Sequence, residues 1–176
     1  MTNSKYNADK IKAHTKKRII IAYPPVDDNE TSSIPKKPSI LNASRLSRSK
    51  NLDIIPKIAS QVTARCEFNL CITTRNPETA MISHLQGSNI TITQNPSKEH
   101  LKHLFQTSAI YLSTQSTEAF GLSILEAMSA GCIPLVPRDG GPWYDILDEK
   151  QGEVGMLSTP LAKLRSILMR YSQTKP

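Results

Sequence analysis

Short apolar runs alternate along this chain with longer stretches in which apolar residues recur every three or four positions. The runs are Ser39–Ala43, Phe68–Ile72, Ile90–Thr93, Ala109–Leu112 and Ile133–Val136. They are too short for buried helices and read as strands. Between them, Leu52 to Thr63 places Leu52, Ile55, Ile58, Ala59 and Val62 at helical spacing, with Pro56 in the first turns, where proline is tolerated. Pro77–Leu85 reads as a further helix. So does Ser97–Phe105, with Ser97 as its cap and Leu101, Leu104 and Phe105 facing inward. Past Gly140-Gly141-Pro142 the pattern predicts a short helix over Trp143–Leu147, a sixth strand at Val154–Leu157 and a closing helix over Leu161–Tyr171. Strands alternating with helices predict an α/β chain built on a doubly wound parallel sheet, with ligands at the carboxyl ends of the strands.

The front of the chain departs from this rhythm. Residues 3–13 have helix-forming character with an Asn/Ser start, and Arg18–Ala22 reads as a short β-branched strand. Tyr23-Pro24-Pro25 must end that strand, because consecutive prolines cannot join a ladder. Residues 28–38 are polar and contain proline, and read as a linker or surface loop.

The stretch from Ser113 to Pro134 carries the most chemistry. A strand leads into a polar loop holding Glu118 and Phe120-Gly121, and then into a helix over Leu122–Ala130 closed by Gly131. Leu122, Ile124, Leu125, Ala127 and Met128 surround this helix, which predicts that it is buried nearly all round. Glu126 is the exception, and a carboxylate there needs a partner. The helix start, beside the flexible Gly121, offers unpaired N–H groups and the positive end of a dipole. An anion cradle flanked by two carboxylates matches a nucleotide sugar, with its pyrophosphate and two sets of hydroxyls. Spacing alone fits equally well with a solvated Glu118 and a partly exposed Glu126.

Topology adds to this. The loops after the first, fourth and fifth strands hold Arg45 to Lys50, Gln115 to Gly121 and Arg138 to Gly141, and in a parallel sheet all three lie on one rim. Two cations, two carboxylates and two glycine-containing turns are therefore expected to converge.

Composition narrows the class. The chain has 176 residues and a formal net charge of +7. Residues 1–50 hold 11 Lys/Arg against 4 Asp/Glu, while the remaining residues are balanced, so the basic character belongs to the front. An anionic partner is one reading of that front. Nucleic acid is not favoured, because no aromatic-interleaved basic motif accompanies the charge. No apolar run approaches the roughly 18 residues of a membrane span. The polar, lysine-rich start is not expected to act as a secretory signal. Cys66, Cys71 and Cys132 lack metal-ligand spacing and read as reduced, buried thiols of a cytoplasmic protein. His100 and His103 share a helix face without further ligands, so no metal site is expected there. Arg48 reads as a solvated cation and Trp143 as a packing residue.

Glu118-Ala-Phe-Gly-Leu-Ser-Ile-Leu-Glu126-Ala-Met-Ser-Ala-Gly131 resembles the E-x7-E signature of the GT4 retaining glycosyltransferases, the glycosyl transferases group 1. Asn42-Ala-Ser-Arg45-Leu-Ser-Arg-Ser-Lys50-Asn51 resembles the family's G-R-L-x-x-x-K-G element, with Ala43 where the first glycine usually stands. Asp139-Gly-Gly-Pro142 and Gly155 resemble its downstream elements. The resemblance runs from about residue 38 to residue 157 and implies the Rossmann-like, C-terminal half of a GT-B fold.

The resemblance also implies roles. Arg45 and Lys50 would hold the donor's diphosphate and stabilise it as it leaves. Glu118 would bind hydroxyls of the transferred sugar and Glu126 those of the ribose. The N–H groups of Phe120, Gly121 and Leu122 would meet phosphates and sugar. Thr74 and Arg75, with Thr93 and Gln94, would border the base. The donor would be a UDP- or GDP-sugar, with no cofactor and no metal, and the product would keep the donor's anomeric configuration. The acceptor would be a glycan or a lipid-linked molecule.

Residues 1–37 resemble the last helix, strand and hinge of the family's N-terminal domain, and residues 38–176 a donor-binding domain that stops one or two helices early. A separate N-terminal domain is therefore an expected partner, and the expected location is the cytoplasm, with room for peripheral contact with the cytoplasmic membrane face. A non-catalytic nucleotide-sugar binder, or a truncated remnant, is the alternative.

Overall fold

The computed structural model describes residues 1–26, 33–62, 66–74 and 82–149. The helix expected at Pro77–Leu85 falls mostly outside these residues, and the sixth strand and closing helix lie wholly outside them. Five strands form one parallel sheet: β1 (Lys37–Ser44), β2 (Glu67–Ile72), β3 (Ile90–Gln94), β4 (Ser108–Leu112) and β5 (Ile133–Leu135), in the spatial order β3-β2-β1-β4-β5. The reversal of strand order falls between β1 and β4. Ile40 pairs with Ile110 and Leu41 with Tyr111 across that central ladder.

The strands alternate between two cores, as period-two side chains must when both faces are covered. Ile40, Leu70, Ile72, Ile110 and Leu112 point to the side of α2 (Ile54–Ala59), which brings Ile55 and Ala59. Leu41, Cys71 and Tyr111 point to the side of α3 (Lys98–Thr107) and α4 (Leu122–Ser129), which bring Phe105, Ile124 and Ala127. Ser97 caps α3 as expected, accepting from the His100 N–H at 3.1 Å. Gly131 follows α4 with φ +82°. Lys36, just before β1, ties the two helix ends together: its ammonium donates to the carbonyls of Phe105 at 2.9 Å and Ala130 at 2.6 Å. These are C-terminal carbonyls left without intrahelical partners, where a cation is favoured.

Three expectations are corrected. Arg18–Ala22 is not a strand of the sheet. Among the described residues its β-branched side makes a parallel bridge from Ile21 to Thr2 and pairs with none of the five strands. And α4 is not buried nearly all round. Ile124 and Ala127 are buried, but Leu122 is 43% and Met128 36% exposed. The helix lies on one face of the sheet, so only its inner stripe is covered. The helix expected at Trp143–Leu147 is a single π-helical turn over Pro142–Ile146.

Asp145 in that turn anchors the front of the chain. Its carboxylate accepts from the N–H groups of Lys5 at 2.5 Å and Tyr6 at 3.0 Å, at the start of α1 (Lys5–Lys12). Ser4 Oγ accepts from the Asn7 N–H at 3.1 Å, so three of the four orphan donors of α1 are met by side chains. The Tyr23 hydroxyl donates to the same carboxylate at 2.9 Å, and Tyr6 stacks on Tyr144 with ring centres 5.8 Å apart.

The three cysteines are free and buried. Burial pushes the Cys66 thiol from 9.0 up to about 12 and Cys71 to about 11. It raises Cys132 too, against the opposing pull of Lys36. Folded pKa values above the unfolded value mean stability that is complete below about pH 9 and is lost as the pH rises through 11 to 12. Thermal unfolding midpoints should therefore fall across this alkaline window, and less so in Cys71→Ala. Replacing Asp145 with Ala should cost about 2 kcal/mol in denaturant unfolding and strip hydrogen-exchange protection from the first turn of α1.

Candidate functional site

The site forms where β1 and β4 end side by side. The loop after β1 carries Arg45 and finishes in a tight turn at Arg48–Lys50, closed by Asn51 in the left-handed region at φ +49°. The loop after β4 carries Glu118. Side chains join the two strand ends. Asn42 donates to the Leu112 carbonyl at 2.8 Å, and the Tyr111 hydroxyl to the Ala43 carbonyl at 3.0 Å. The Thr114 hydroxyl donates to the Lys50 carbonyl. Burial raises the Tyr111 phenol well above its ordinary value, against its hydrogen bonds to Ser123 and Ala43. Tyr111 therefore stays a neutral link between β1 and the first turn of α4.

Lys50 and Glu118 meet directly. The ammonium lies 2.6 Å from Glu118 Oε2, and the two side chains are only 20% and 22% exposed. A third loop fixes the backbone beneath Glu118. The Gly141 N–H donates to the Glu118 carbonyl at 2.7 Å, and a Cβ at Gly141 would sit 2.1 Å from the Ala119 carbonyl oxygen. Only glycine permits this approach. Gly121, at φ +96°, then turns the chain into α4, and the Ile124 N–H donates to its carbonyl at 3.0 Å. The N–H groups of Leu122 and Ser123 precede that first helical bond. Phe120 is buried beneath the Tyr23 ring, whose centre is 5.5 Å away.

These parts surround an open cleft of about 450 Å³, within the range of small-ligand sites. Arg45, Lys50, Glu118, Phe120, Gly121, Leu122 and Glu126 all line it, so seven of the residues singled out from sequence come together. Ser44, Thr73 and Ser123 line it as well, as do Asn3 and Pro24 from the front segment. The front residues gave no signal in the sequence, because nothing local links them to residues more than ninety positions away. Asn42 did carry one, as a buried polar residue within β1, and Thr114 stands two positions past the end of β4.

The residues expected to border a base are spread out. Thr74 Oγ1 accepts from the Leu46 N–H at 2.7 Å and so supports the Arg45 loop from outside the lining. Arg75 lies outside the described residues. Thr93 and Gln94 sit at the end of β3, two strands from β1, and Gln94 borders a separate hollow with Ile82 and Gln86. Arg48 is exposed, and Trp143 is buried beneath the Arg138 guanidinium, 5.5 Å from its ring centre. Among the described residues no three His, Cys, Asp or Glu side chains are grouped as a metal site would need.

Residues 26–158 match the family of glycosyl transferases group 1, and the chain belongs to that family. It is 25% identical over 142 residues to the sulfoquinovosyl transferase SQD2 of Arabidopsis thaliana, covering 76% of this chain and 27% of that protein. Over 66 residues it is 33% identical to the mouse (Mus musculus) GDP-Man:Man(3)GlcNAc(2)-PP-Dol alpha-1,2-mannosyltransferase, covering 38% of this chain and 13% of that protein. Its fold is that of Anabaena Alr3699/HepE, solved in complex with UDP and glucose, with a TM-score of 0.75 at 16% identity over 98% of this chain and 53% of that one. It is also that of WaaG, a glycosyltransferase involved in lipopolysaccharide biosynthesis, with a TM-score of 0.72 at 17% identity over 97% and 52%. The chain thus spans about half of those structures and about a quarter of the plant relative.

Gly141→Ala should force the 118–120 backbone to move. It should cost about 3 kcal/mol of stability, read by chemical denaturation, where Asp139→Ala, two positions earlier in the same turn, costs far less.

Proposed function

We propose that this chain is the donor-binding half of a retaining glycosyltransferase. The observation that carries this reading is the meeting of Arg45, Lys50, Glu118 and Glu126 in one cleft at the start of α4. A guanidinium, an ammonium and the first N–H groups of a helix suit a diphosphate. Glu126, one turn into α4, accepts from the ribose hydroxyls. Glu118 accepts from hydroxyls of the transferred sugar. Charge builds on the diphosphate as the glycosidic bond breaks, and the two cations and the helix dipole meet it there. Without donor, Lys50 rests on Glu118. Binding a nucleotide sugar turns the ammonium toward phosphate while Glu118 takes up the sugar, so each group exchanges one polar partner for another.

The acceptor is a glycan or a lipid-linked molecule, and a separate N-terminal domain presents it across the cleft. Support for a second body comes from the openness of the site and from the exposed Leu122 in its lining and Tyr23 beside Phe120. Support for a nucleotide-sugar donor comes from the fold shared with a protein solved with UDP and glucose.

Calorimetric titration with UDP, GDP, UDP-glucose and GDP-mannose tests the reading. One base should be preferred. Arg45→Ala and Glu126→Ala should each weaken its binding by about tenfold or more, and Glu118→Ala should erase any gain from the attached sugar. A folded chain that binds none of the four, alone and with a related N-terminal domain fused in front, overturns the proposal. Binding unchanged by both Arg45→Ala and Glu126→Ala overturns the site.

A further inference from the structure

The front of the chain meets the turn after β5 in a second hollow, apart from the donor cleft. It measures about 410 Å³ and is lined by Lys5, Tyr6, Asp9 and Lys10 of α1 and by Tyr144 and Glu149. Two of these side chains are aromatic and stacked. The Tyr6 and Tyr144 rings have centres 5.8 Å apart and planes 10° from parallel. The Lys10 ammonium lies 4.1 Å from the centre of the Tyr6 ring and donates to the Tyr6 hydroxyl at 2.5 Å.

The backbone beneath the stack is fixed. Asp145, the neighbour of Tyr144, accepts from the N–H groups of Lys5 and Tyr6, so one carboxylate holds both rings in place. The Glu149 N–H donates to the Trp143 carbonyl at 3.0 Å and ties Glu149 to the same turn. Tyr6 is engaged by Lys10 and by Tyr144. Tyr144 keeps 38% of its surface exposed and is the ring left for a ligand.

Charge narrows what that ligand is. Lys5 and Lys10 are matched by Asp9 and Glu149, so the lining carries no net charge. An anion meets two carboxylates beside the two ammonium groups. A purely apolar ligand would strand all four charged groups away from water. A sugar ring suits both parts of the lining. The C–H groups on one of its faces pack on an aromatic ring, whose negative face attracts them. Its hydroxyls donate to carboxylates and accept from ammonium groups. The volume falls within the range of small-ligand sites.

We propose that this hollow is a carbohydrate subsite that holds a neutral sugar residue on Tyr144. Asn3 lines the donor cleft and Lys5 lines the hollow, and two residues of chain span at most about 7 Å. One oligosaccharide therefore spans both sites. That this oligosaccharide is the acceptor rests on the transferase reading above; sugar binding in the hollow does not.

Nuclear magnetic resonance titration of the isotope-labelled full chain tests the proposal. The probes are mannotriose, maltotriose and triacetylchitotriose, with inorganic phosphate as control. At millimolar concentration at least one trisaccharide should shift the backbone signals of Tyr6, Lys10 and Tyr144 to saturation, and phosphate should not. Tyr144→Ala should bind that trisaccharide about tenfold more weakly, and Glu149→Gln about threefold more weakly. Tyr144→Trp should retain it. Circular dichroism checks each variant for an unchanged fold. No saturating shift with any of the three sugars overturns the proposal. So do shifts confined to cleft residues such as Arg45 and Gly121, a stronger response to phosphate than to sugar, or binding unchanged in both Tyr144→Ala and Glu149→Gln. The sugar titration needs no nucleotide. Its failure with nucleotide binding intact strikes this inference alone, and the reverse result strikes only the donor reading.

Discussion

The hydrogen-bonded ladder between β1 and β4 is the constraint on which the rest depends. Chain order reverses there: β2 and β3 are laid on one side and β4 and β5 on the other. Loops leaving neighbouring strands at such a point turn to opposite faces and leave a crevice between them. The polar side chains that join the strand ends keep that crevice in register. Asn42 reaches the Leu112 carbonyl, Tyr111 reaches Ala43, and Thr114 reaches Lys50. Each fills a buried backbone acceptor with a side-chain donor, so the ends stay paired beyond the last ladder bond. If one residue slipped in this ladder, Ile40 and Leu41 would exchange cores and Lys50 would part from Glu118.

Lys50 and Glu118 offset one another's charge in the cleft. Lys50 and Glu118, each about four-fifths covered, would be costly to keep apart at that depth. Pairing them keeps both in place. The glycine turn beneath plays the same part for the backbone: Gly141 closes on Ala119 so tightly that the Glu118 loop has no room to relax. Both devices fix the loop that carries Glu118 against the end of β1.

The front lobe is part of this arrangement rather than an appendage to it. Asp145 caps α1 and holds Tyr23, and Tyr23 covers Phe120 at the entrance to α4. One carboxylate thus joins the first residues of the chain to the turn after β5. Asn3 and Pro24 reach the cleft wall as a result.

Local chemistry made much of this readable from the sequence. The five strands are short runs between turn residues, Ser97 caps a helix because its hydroxyl reaches an orphan N–H, and Gly131 follows α4 because it tolerates positive φ. Glu118, Arg45 and Lys50 could be singled out because the parallel-sheet rule puts the loops that carry them on one rim, and Glu126 because it is the one carboxylate of an otherwise apolar helix. Other features depended on what lies across space. Ile19, Ile20 and Ile21 read as a strand, but Ile21 bridges to Thr2 and none of the three joins the five-stranded sheet. Leu122 and Met128 read as buried, but a helix on one face of a sheet has an outer side. How far Thr93 and Gln94 stand from β1, two strands along the sheet, is set by strand order. Asp145 carries no local sign of the helix that starts on it, because Lys5 lies 140 positions away in the chain. Sequence by itself determined the elements and the kind of chemistry, because propensity, capping and period act within a few residues. Only the tertiary structure decided which groups touch, because strand order, helix exposure and the seating of the front lobe come from contacts between residues far apart in the chain, and no local pattern records those.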